Sequence, residues 1–257
     1  MKSKDKSKNI NLVFLFFGVV FLIILSSFIY KLFLVVKNSK FDGSNNYVLA
    51  YMKSNESDIV SFSPSANSIS ILKIKGNFKG KIVSLVKVPV DGYVYGEKNL
   101  EKQNVPGFID SAFFMDRNSL NYVDLFRLSI FARGVPKQNV NRDQVNSSDW
   151  NKIEELAQSL FSDPKIVSEK ESVEIVNSAG VYGLGNSFAQ ILGNIGGDVV
   201  LVSTGNDRND SSITYFGEKT YSVKRYSQIL GVEPVQSKDR GISDIIITIG
   251  KDKAQNY

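Results

Sequence analysis

Residues 173–203 read VEIVNSAGVYGLGNSFAQILGNIGGDVVLVS, and their pattern predicts the fold of the C-terminal part of the chain. An apolar strand (173–177) leads through a glycine-rich turn into a helix, and a second apolar strand (198–203) follows. The apolar residues of the helix recur every three or four positions, which places them on one face. They are Leu184, Phe188, Ile191, Leu192 and Ile195. The pattern predicts a β-α-β unit.

The same alternation of strands and helices continues towards the C-terminus. A strand (212–216), a helix (220–230) and a closing strand (244–250) follow. Residues 172–251 therefore read βαββαβ, which is the element order of the ferredoxin-like fold. We expect two helices on one face of a four-stranded antiparallel sheet.

The glycine-rich turn offers a candidate ligand site. The dinucleotide motif G-x-G-x-x-G needs a small third residue, but here the series ends in Phe188, and no P-loop Lys-Ser/Thr pair follows. A tight turn with close helix-strand packing is therefore favoured, although the helix N-terminus can attract an anion. The candidate ligand-binding residues come from this turn and from two tyrosines that could form a stacking platform. They are Asn177, Gly180, Gly183, Gly185, Tyr215 and Tyr221.

Composition removes several kinds of chemistry. The chain has no His and no Cys, which excludes Ser-His-Asp and Cys-His catalysis, a structural zinc site and a disulfide within the chain. The loop from Asp207 to Glu218 has some ligand spacing of a calcium loop, but Ser212 stands where glycine is required. We predict no catalytic residue, no metal site and no cofactor.

The preceding part of the chain begins as a sheet and continues as helices. Apolar alternation predicts strands at 47–52, 58–63 and 68–75, with the turn PSAN at 64–67 and a further extended stretch at 81–96. Two apolar-faced segments, 118–134 and 147–164, predict helices. The overall class is α+β, with a β-rich and then helical middle domain.

An uncharged apolar run, Ile10–Tyr30, precedes these domains and is long enough to cross ~30 Å of hydrocarbon. It is longer than the apolar core of a signal peptide, and no A-x-A-like site follows it. We predict a single transmembrane helix. The lysines before it, Lys2, Lys4, Lys6 and Lys8, predict a cytoplasmic N-terminus and an extracytoplasmic bulk, although Lys31, Lys37 and Lys40 on the other side weaken this bias.

The net charge of +5 belongs to this N-terminal region. Residues 1–40 hold seven of the 31 basic residues and one of the 26 acidic ones, which leaves 24 basic and 25 acidic residues in the remainder. The remainder has no general excess of positive charge, so we do not expect a nucleic-acid partner.

Residues 172–251 resemble the C-terminal domain of the LytR family, which occurs at the outer end of many LytR-CpsA-Psr cell-envelope proteins. The resemblance rests on VEIVNSAGVYGLGNSFAQILGNIGGDVVLVST, the strand SSITYFG, the helix VKRYSQILG and the closing SDIIITIGKD. Residues 41–165 resemble a degenerate form of the catalytic domain of those proteins. SDIVSFSPSANSISILKIKGN is similar to its strand-turn-strand entry, with Asp58 at the position of an acidic residue.

The resemblance implies a domain layout. Residues 1–9 would be a cytoplasmic tail, 10–36 the transmembrane helix and its flank, 41–165 the degenerate LytR-CpsA-Psr-like region and 172–251 the LytR C-terminal-type domain.

The resemblance also implies two alternative functions at the cell envelope. One is a non-catalytic module that binds or organises peptidoglycan or wall polymers. The other is a divergent phosphotransferase that attaches glycopolymers to peptidoglycan. Gly76 and Asn77 stand where the catalytic family has an Arg-Asp pair, which favours the first. Transfer would require several of Arg117, Arg127, Arg133 and Arg142 to converge with Asp58.

Overall fold

A computed structural model describes residues 5–76, 82–97, 100, 104–239 and 241–254, without the side chains of residues 5–12. The fold is mixed α+β and contains an N-terminal apolar helix and two mixed sheets. The chain divides into two compact units, Met1–Ser39 and Lys40–Tyr257. The first four residues of the predicted cytoplasmic tail lie outside the described residues.

The first unit is the helix α1 (Asp5–Lys37). Its stretch Val13–Lys37 has a mean hydropathy of 2.7, and no residue of its most apolar segment is buried. By length and composition this helix can cross a membrane, in agreement with the sequence prediction.

The second unit begins with a six-stranded sheet in the order β5-β4-β1-β2-β3-β6. Strands β1, β2 and β3 form an antiparallel meander, while β4 pairs in parallel with β1 and β6 pairs in parallel with β3. The elements are β1 (Tyr47–Met52), β2 (Glu56–Ser63), β3 (Ser68–Lys75), α2 (Ile82–Val86), β4 (Gly92–Tyr95), α3 (Val105–Ala112), β5 (Asp116–Asn118), α4 (Tyr122–Gly134), β6 (Val140–Asn146) and α5 (Trp150–Phe161).

Both faces of this sheet are covered. Along β1, Tyr47, Leu49 and Tyr51 pack into a core shared with α3 and α4, whereas Val48 and Ala50 pack into a second core shared with α2 and α5. Successive strand residues point to opposite faces, so both sets are buried. Burial on two faces explains why β1 is almost continuously apolar.

Three predicted elements of this region are corrected. The described part of the expected extended stretch 81–96 contains the helix α2 before β4. The first predicted helix begins at Tyr122, not at residue 118, because residues 116–118 pair with β4 as the strand β5. The second ends at Phe161, and Pro164 begins a further short helix, α6 (Pro164–Glu169), since proline is tolerated in a first turn.

The second sheet has five strands in the order β10-β9-β11-β7-β8. Its elements are β7 (Ser172–Asn177), α7 (Leu184–Asn194), β8 (Asp198–Thr204), β9 (Ser212–Phe216), α8 (Tyr221–Leu230), β10 (Pro234–Ser237) and β11 (Ile245–Ile249). The predicted strands and helices are therefore present, with β10 added.

The strand pairing corrects the expected ferredoxin-like, four-stranded antiparallel sheet. Strand β7 pairs in parallel with both β8 and β11, and β9 pairs in parallel with β10; only β9 and β11 are antiparallel. The physical reason is β10, which takes the return path from α8. The chain then reverses once more before β11, so β11 runs opposite to the direction that the βαββαβ reading requires.

A buried ion pair connects the two sheets. Arg225, on α8, donates from Nη1 to Oδ1 and from Nη2 to Oδ2 of Asp91, which lies just before β4; each distance is 2.8 Å. The side chains are 3% and 7% exposed. Asp91 Oδ2 also accepts a hydrogen bond from the amide of Val48 in β1 (2.8 Å). Burial alone would lower the pKa of Arg225, but the charge of Asp91 raises it above its ordinary value.

We expect Arg225→Met to destabilise the protein by about 3–5 kcal/mol, because it leaves the Asp91 charge buried without a partner. Denaturant unfolding of the full chain in detergent, followed by circular dichroism, measures the loss. Arg133→Met is the matched control, since Arg133 pairs with Asp110 at 2.7 Å but both side chains are about half exposed. Breaking that surface pair should cost about 0–1 kcal/mol. Equal losses in the two variants would contradict the assignment.

Candidate functional site

The side chain of Asn177 holds the glycine-rich turn in place through two hydrogen bonds. Asn177 ends β7, and its Nδ2 donates to the carbonyl of Val181 at 2.8 Å while its Oδ1 accepts from the amide of Ala179 at 3.2 Å. Gly180 and Gly183 have φ angles of +72° and +76°, a region that side chains with a Cβ rarely adopt. The amide of Asn177 is thus already engaged in holding the turn.

Gly185 allows α7 to approach the sheet closely. A Cβ at this position would lie 3.0 Å from Val202 Cγ1 and 3.3 Å from Asn177 Cβ. The glycines of the turn therefore serve a tight corner and a close helix-strand contact, which is the interpretation that the sequence favoured. A ligand at Asn177, Gly180, Gly183 and Gly185 stays a prediction.

The two candidate tyrosines lie at the other end of the sheet. The register pairs Ile245 with both Val173 and Tyr215, so Tyr215 is level with the start of β7, about 13 Å along the strand from Asn177. Tyr215 is only 8% exposed and belongs to the core. The structure therefore does not bring it together with the turn or place it on a surface platform.

Tyr221 is engaged in the contact between the sheets. Its hydroxyl donates to Asp163 Oδ2 at 2.6 Å and accepts from the amide of Asn46 at 3.0 Å. Burial and the hydrogen bond to Asp163 raise the pKa of Tyr221. This tyrosine holds the start of β1 against the start of α6, and its role in ligand binding stays a prediction.

A cavity of about 960 Å³, here called the basic groove, lies beside the first sheet. It is bordered by the start of α3, the end of α4 and strand β6. Three of its residues are basic (Arg133, Lys137 and Arg142) and one is acidic (Asp110). The lining residues are Ile69, Asn104, Val105, Pro106, Gly107, Asp110, Ala132, Arg133, Gly134, Val135, Pro136, Lys137, Val140 and Arg142.

Local hydrogen bonds fix the walls of the groove. Asn104 caps α3 by accepting from the amide of Gly107 at 2.7 Å. Arg133 donates to Asp110 Oδ2 and to Ser129 Oγ, both at 2.7 Å. Asp110 neutralises the charge of Arg133. The lining residues of the groove therefore have a net positive charge, which comes from Lys137 and Arg142. Sequence reasoning missed this site, although the cap signal at 104–107 and the arginines were readable.

A second, smaller cavity of about 200 Å³ contains Asp58, Lys73 and Arg142. Asp58 is fully buried, and its Oδ2 lies 2.8 Å from Lys53 Nζ. Its Oδ1 has no hydrogen-bond partner among the described residues. Burial raises the pKa of Asp58, and Lys53 offsets this only in part. Arg142 lines both cavities and is the one arginine of the predicted group that shares a cavity with Asp58.

The other arginines do not converge on Asp58. Arg117 stacks over the ring of Tyr122 at 4.1 Å, and Arg127 donates to the carbonyl of Phe41 at 2.9 Å. Gly76 directly follows the last residue of β3, and Asn77 lies outside the described residues. Among the described residues, no cluster of three or more Asp or Glu side chains could hold a metal ion.

We expect Gly185→Ala to destabilise the protein by about 1–3 kcal/mol, because the new methyl group would press against Val202. Adding Val202→Ala should restore part of the loss. Gly193→Ala is the control in the same helix: no described atom lies within 4 Å of a Cβ there, so the change should stabilise by up to about 1 kcal/mol. Denaturant unfolding measures both; destabilisation by Gly193→Ala as large as that by Gly185→Ala would refute the close contact.

The raised pKa of Asp58 predicts a pH-dependent stability. A carboxyl group whose pKa is higher in the folded state stabilises fully below its unfolded pKa, ordinarily 3.8, and loses this contribution as pH rises through the folded value. Wild type should therefore lose stability relative to Asp58→Asn as pH rises from acid to neutral.

The control for this prediction has the opposite sign. Burial would raise the pKa of Asp252, but its hydrogen bonds to Ser211 and Lys253 lower it. The stabilising contribution of Asp252 is therefore present above its unfolded pKa and is lost as pH falls. Parallel pH profiles for Asp58→Asn and Asp252→Asn would contradict the assignment.

Comparison with known proteins supports the resemblance seen in the sequence. Residues 171–252 match the family model described as LytR cell envelope-related transcriptional attenuator. No curated protein and no solved structure matches the chain. The match confirms the predicted similarity of the C-terminal domain to the LytR C-terminal family, and together with the apolar helix α1 it fits a membrane-anchored cell-envelope protein.

Proposed function

We propose that this protein is a membrane-anchored, extracytoplasmic module that binds an anionic polymer of the cell wall in the basic groove. The match of residues 171–252 and the apolar helix α1 support the envelope location. The groove supports the ligand class, and the cytoplasmic placement of the lysine-rich N-terminus is part of the proposal. The single observation that carries the binding role is that Lys137 and Arg142 line one large cavity and have no ion-pair partner among the described residues.

The chemistry of the groove suits phosphate or carboxylate groups spaced along a chain. Arg142 and Lys137 are exposed, so their charged groups are accessible to a ligand in the groove. Arginine can hold a phosphate or carboxylate with two parallel hydrogen bonds, and lysine adds a point charge. The apolar wall formed by Val105, Pro106 and Val135 can pack against sugar rings.

Binding is favoured over transfer because the groups that transfer requires are dispersed. Arg117 and Arg127 contact Tyr122 and a backbone carbonyl, away from the cavity that contains Asp58. Asp58 itself lies against Lys53. One observation favours the transferase alternative: Arg142 borders both cavities, so a donor in the groove would lie next to the Asp58 cavity.

The test is binding of polyglycerol phosphate to the full chain in nanodiscs. We expect Arg142→Gln combined with Lys137→Gln to weaken binding about tenfold or more, since each charge-assisted hydrogen bond contributes about 1.5 kcal/mol. Binding should also weaken with added salt.

The matched control is Lys224→Gln, an exposed lysine of α8 that should leave binding unchanged. Equal weakening by the control and the groove variant would overturn the groove as the site, and no binding by wild type would overturn the ligand class. Transfer of a phosphoglycosyl group from a pyrophosphate-linked lipid donor, abolished by Asp58→Asn, would support the enzyme instead.

A further inference from the structure

The solvent-exposed face of helix α4 carries apolar side chains. Its inner residues Leu125, Leu128 and Ala132 are buried in the core with α3 and the first sheet. Three outer residues recur at intervals of four and form one stripe along the helix. We call Tyr122, Phe126 and Ile130 the α4 stripe; their side chains are 59%, 59% and 54% exposed. An exposed apolar stripe of this kind is typical of an interaction surface.

Aromatic groups extend the stripe beyond the helix. The ring of Phe113 stacks with that of Tyr122, with 6.2 Å between centroids, and the next residue, Phe114, is 94% exposed. The patch thus presents four apolar or aromatic side chains to solvent, three from α4 and one from the turn that follows α3. The core of the described protein does not require any of them.

Two arginines flank the stripe. Arg117 lies over the ring of Tyr122 and Arg127 is half-buried on α4, whereas Arg133, at the end of the same helix, is paired with Asp110. The one acidic residue of α4, Asp124, is fully buried and caps the helix. An apolar and aromatic stripe flanked by arginines matches the interfacial region of a bilayer that contains anionic lipid.

Helix α4 is hydrogen-bonded to a residue near the start of the folded unit. Phe41, the second residue of the folded unit, donates its amide to Asp124 Oδ1 at 2.9 Å and accepts from Arg127 Nη1 at 2.9 Å. Three residues separate Phe41 from Lys37, the last residue of α1, so this connection spans at most about 15 Å. Helix α4 is therefore hydrogen-bonded, through Asp124 and Arg127, to a residue that lies only four positions after the end of α1.

We propose that the α4 stripe lies against the surface of the same membrane that holds α1. The helix rests parallel to the bilayer, with Phe126 and Ile130 in the headgroup region and Arg117 and Arg127 near lipid phosphates. This second contact fixes the orientation of the folded unit relative to the membrane.

The test uses the absence of native cysteine, which permits one label per molecule. Ile130→Cys is labelled with bimane in the full chain and reconstituted into phosphatidylglycerol-phosphatidylcholine vesicles that carry nitroxide-labelled headgroups in both leaflets. Val235→Cys is the matched control, because Val235 is 62% exposed on β10, in the other sheet. We expect loss of fluorescence at position 130 and little loss at 235.

A second variant tests the cause. Phe126→Glu in the Ile130→Cys background should abolish the loss at 130, because a carboxylate on the stripe opposes insertion near anionic lipid. The same charge at Tyr182, which is fully exposed near the glycine turn, should leave it unchanged. Equal quenching at 130 and 235, or quenching insensitive to Phe126→Glu, would overturn the proposal. A concentration-dependent blue shift of the 130 label in detergent would assign the stripe to a second copy of the chain and would also overturn it.

Discussion

The buried pair of Asp91 and Arg225 is the interaction on which the arrangement of residues 40–257 depends. Asp91 accepts the amide of Val48 as well as both guanidinium nitrogens, so it ties β1, β4 and α8 together. Either charge alone would be strongly unfavourable in this environment, because removal from water costs several kcal/mol per ion. The two sheets must therefore stay docked for either side chain to remain charged. The division of this part of the chain into separate domains at 41–165 and 172–251 stays a prediction. In the structure both regions belong to one compact unit, Lys40–Tyr257.

Carboxylates that precede β7 position the start of α8. Thr220 Oγ1 donates to Glu171 at 2.6 Å, and the amides of Tyr221 and Ser222 donate to the carboxylate of Glu169. The start of α8 is thus satisfied by carboxylates from α6 and its C-terminal flank, which suits the positive end of a helix. Glu169 and Glu171 therefore act as helix-capping groups, and they hold α8 where Arg225 can reach Asp91.

The elements that could be predicted from the sequence are those whose apolar residues recur at the regular spacing of a strand or a helix. Strands β1 and β3 follow from alternation of apolar and polar residues, and helix α7 follows from the spacing of three or four residues between its apolar positions. The sequence did not predict β6 or β10, because these are edge strands, polar in β6 and begun by a proline in β10. The basic groove was also missed, since its walls come from four separate segments and no single motif contains it. Asp91 and Arg225 are 134 residues apart, and neither belongs to a motif.

Helix α4 relates the proposed binding site to the proposed membrane contact. Its first turns are tied to Phe41, and its last turn supplies Ala132, Arg133 and Gly134 to the basic groove. The helix has 13 residues and is therefore about 20 Å long. If α4 lies along the bilayer, the groove opens within about one helix length of the headgroups. A polymer bound there would be held close to the membrane. Helix α4 thus fixes the distance between the groove and the stripe, because it carries residues of both.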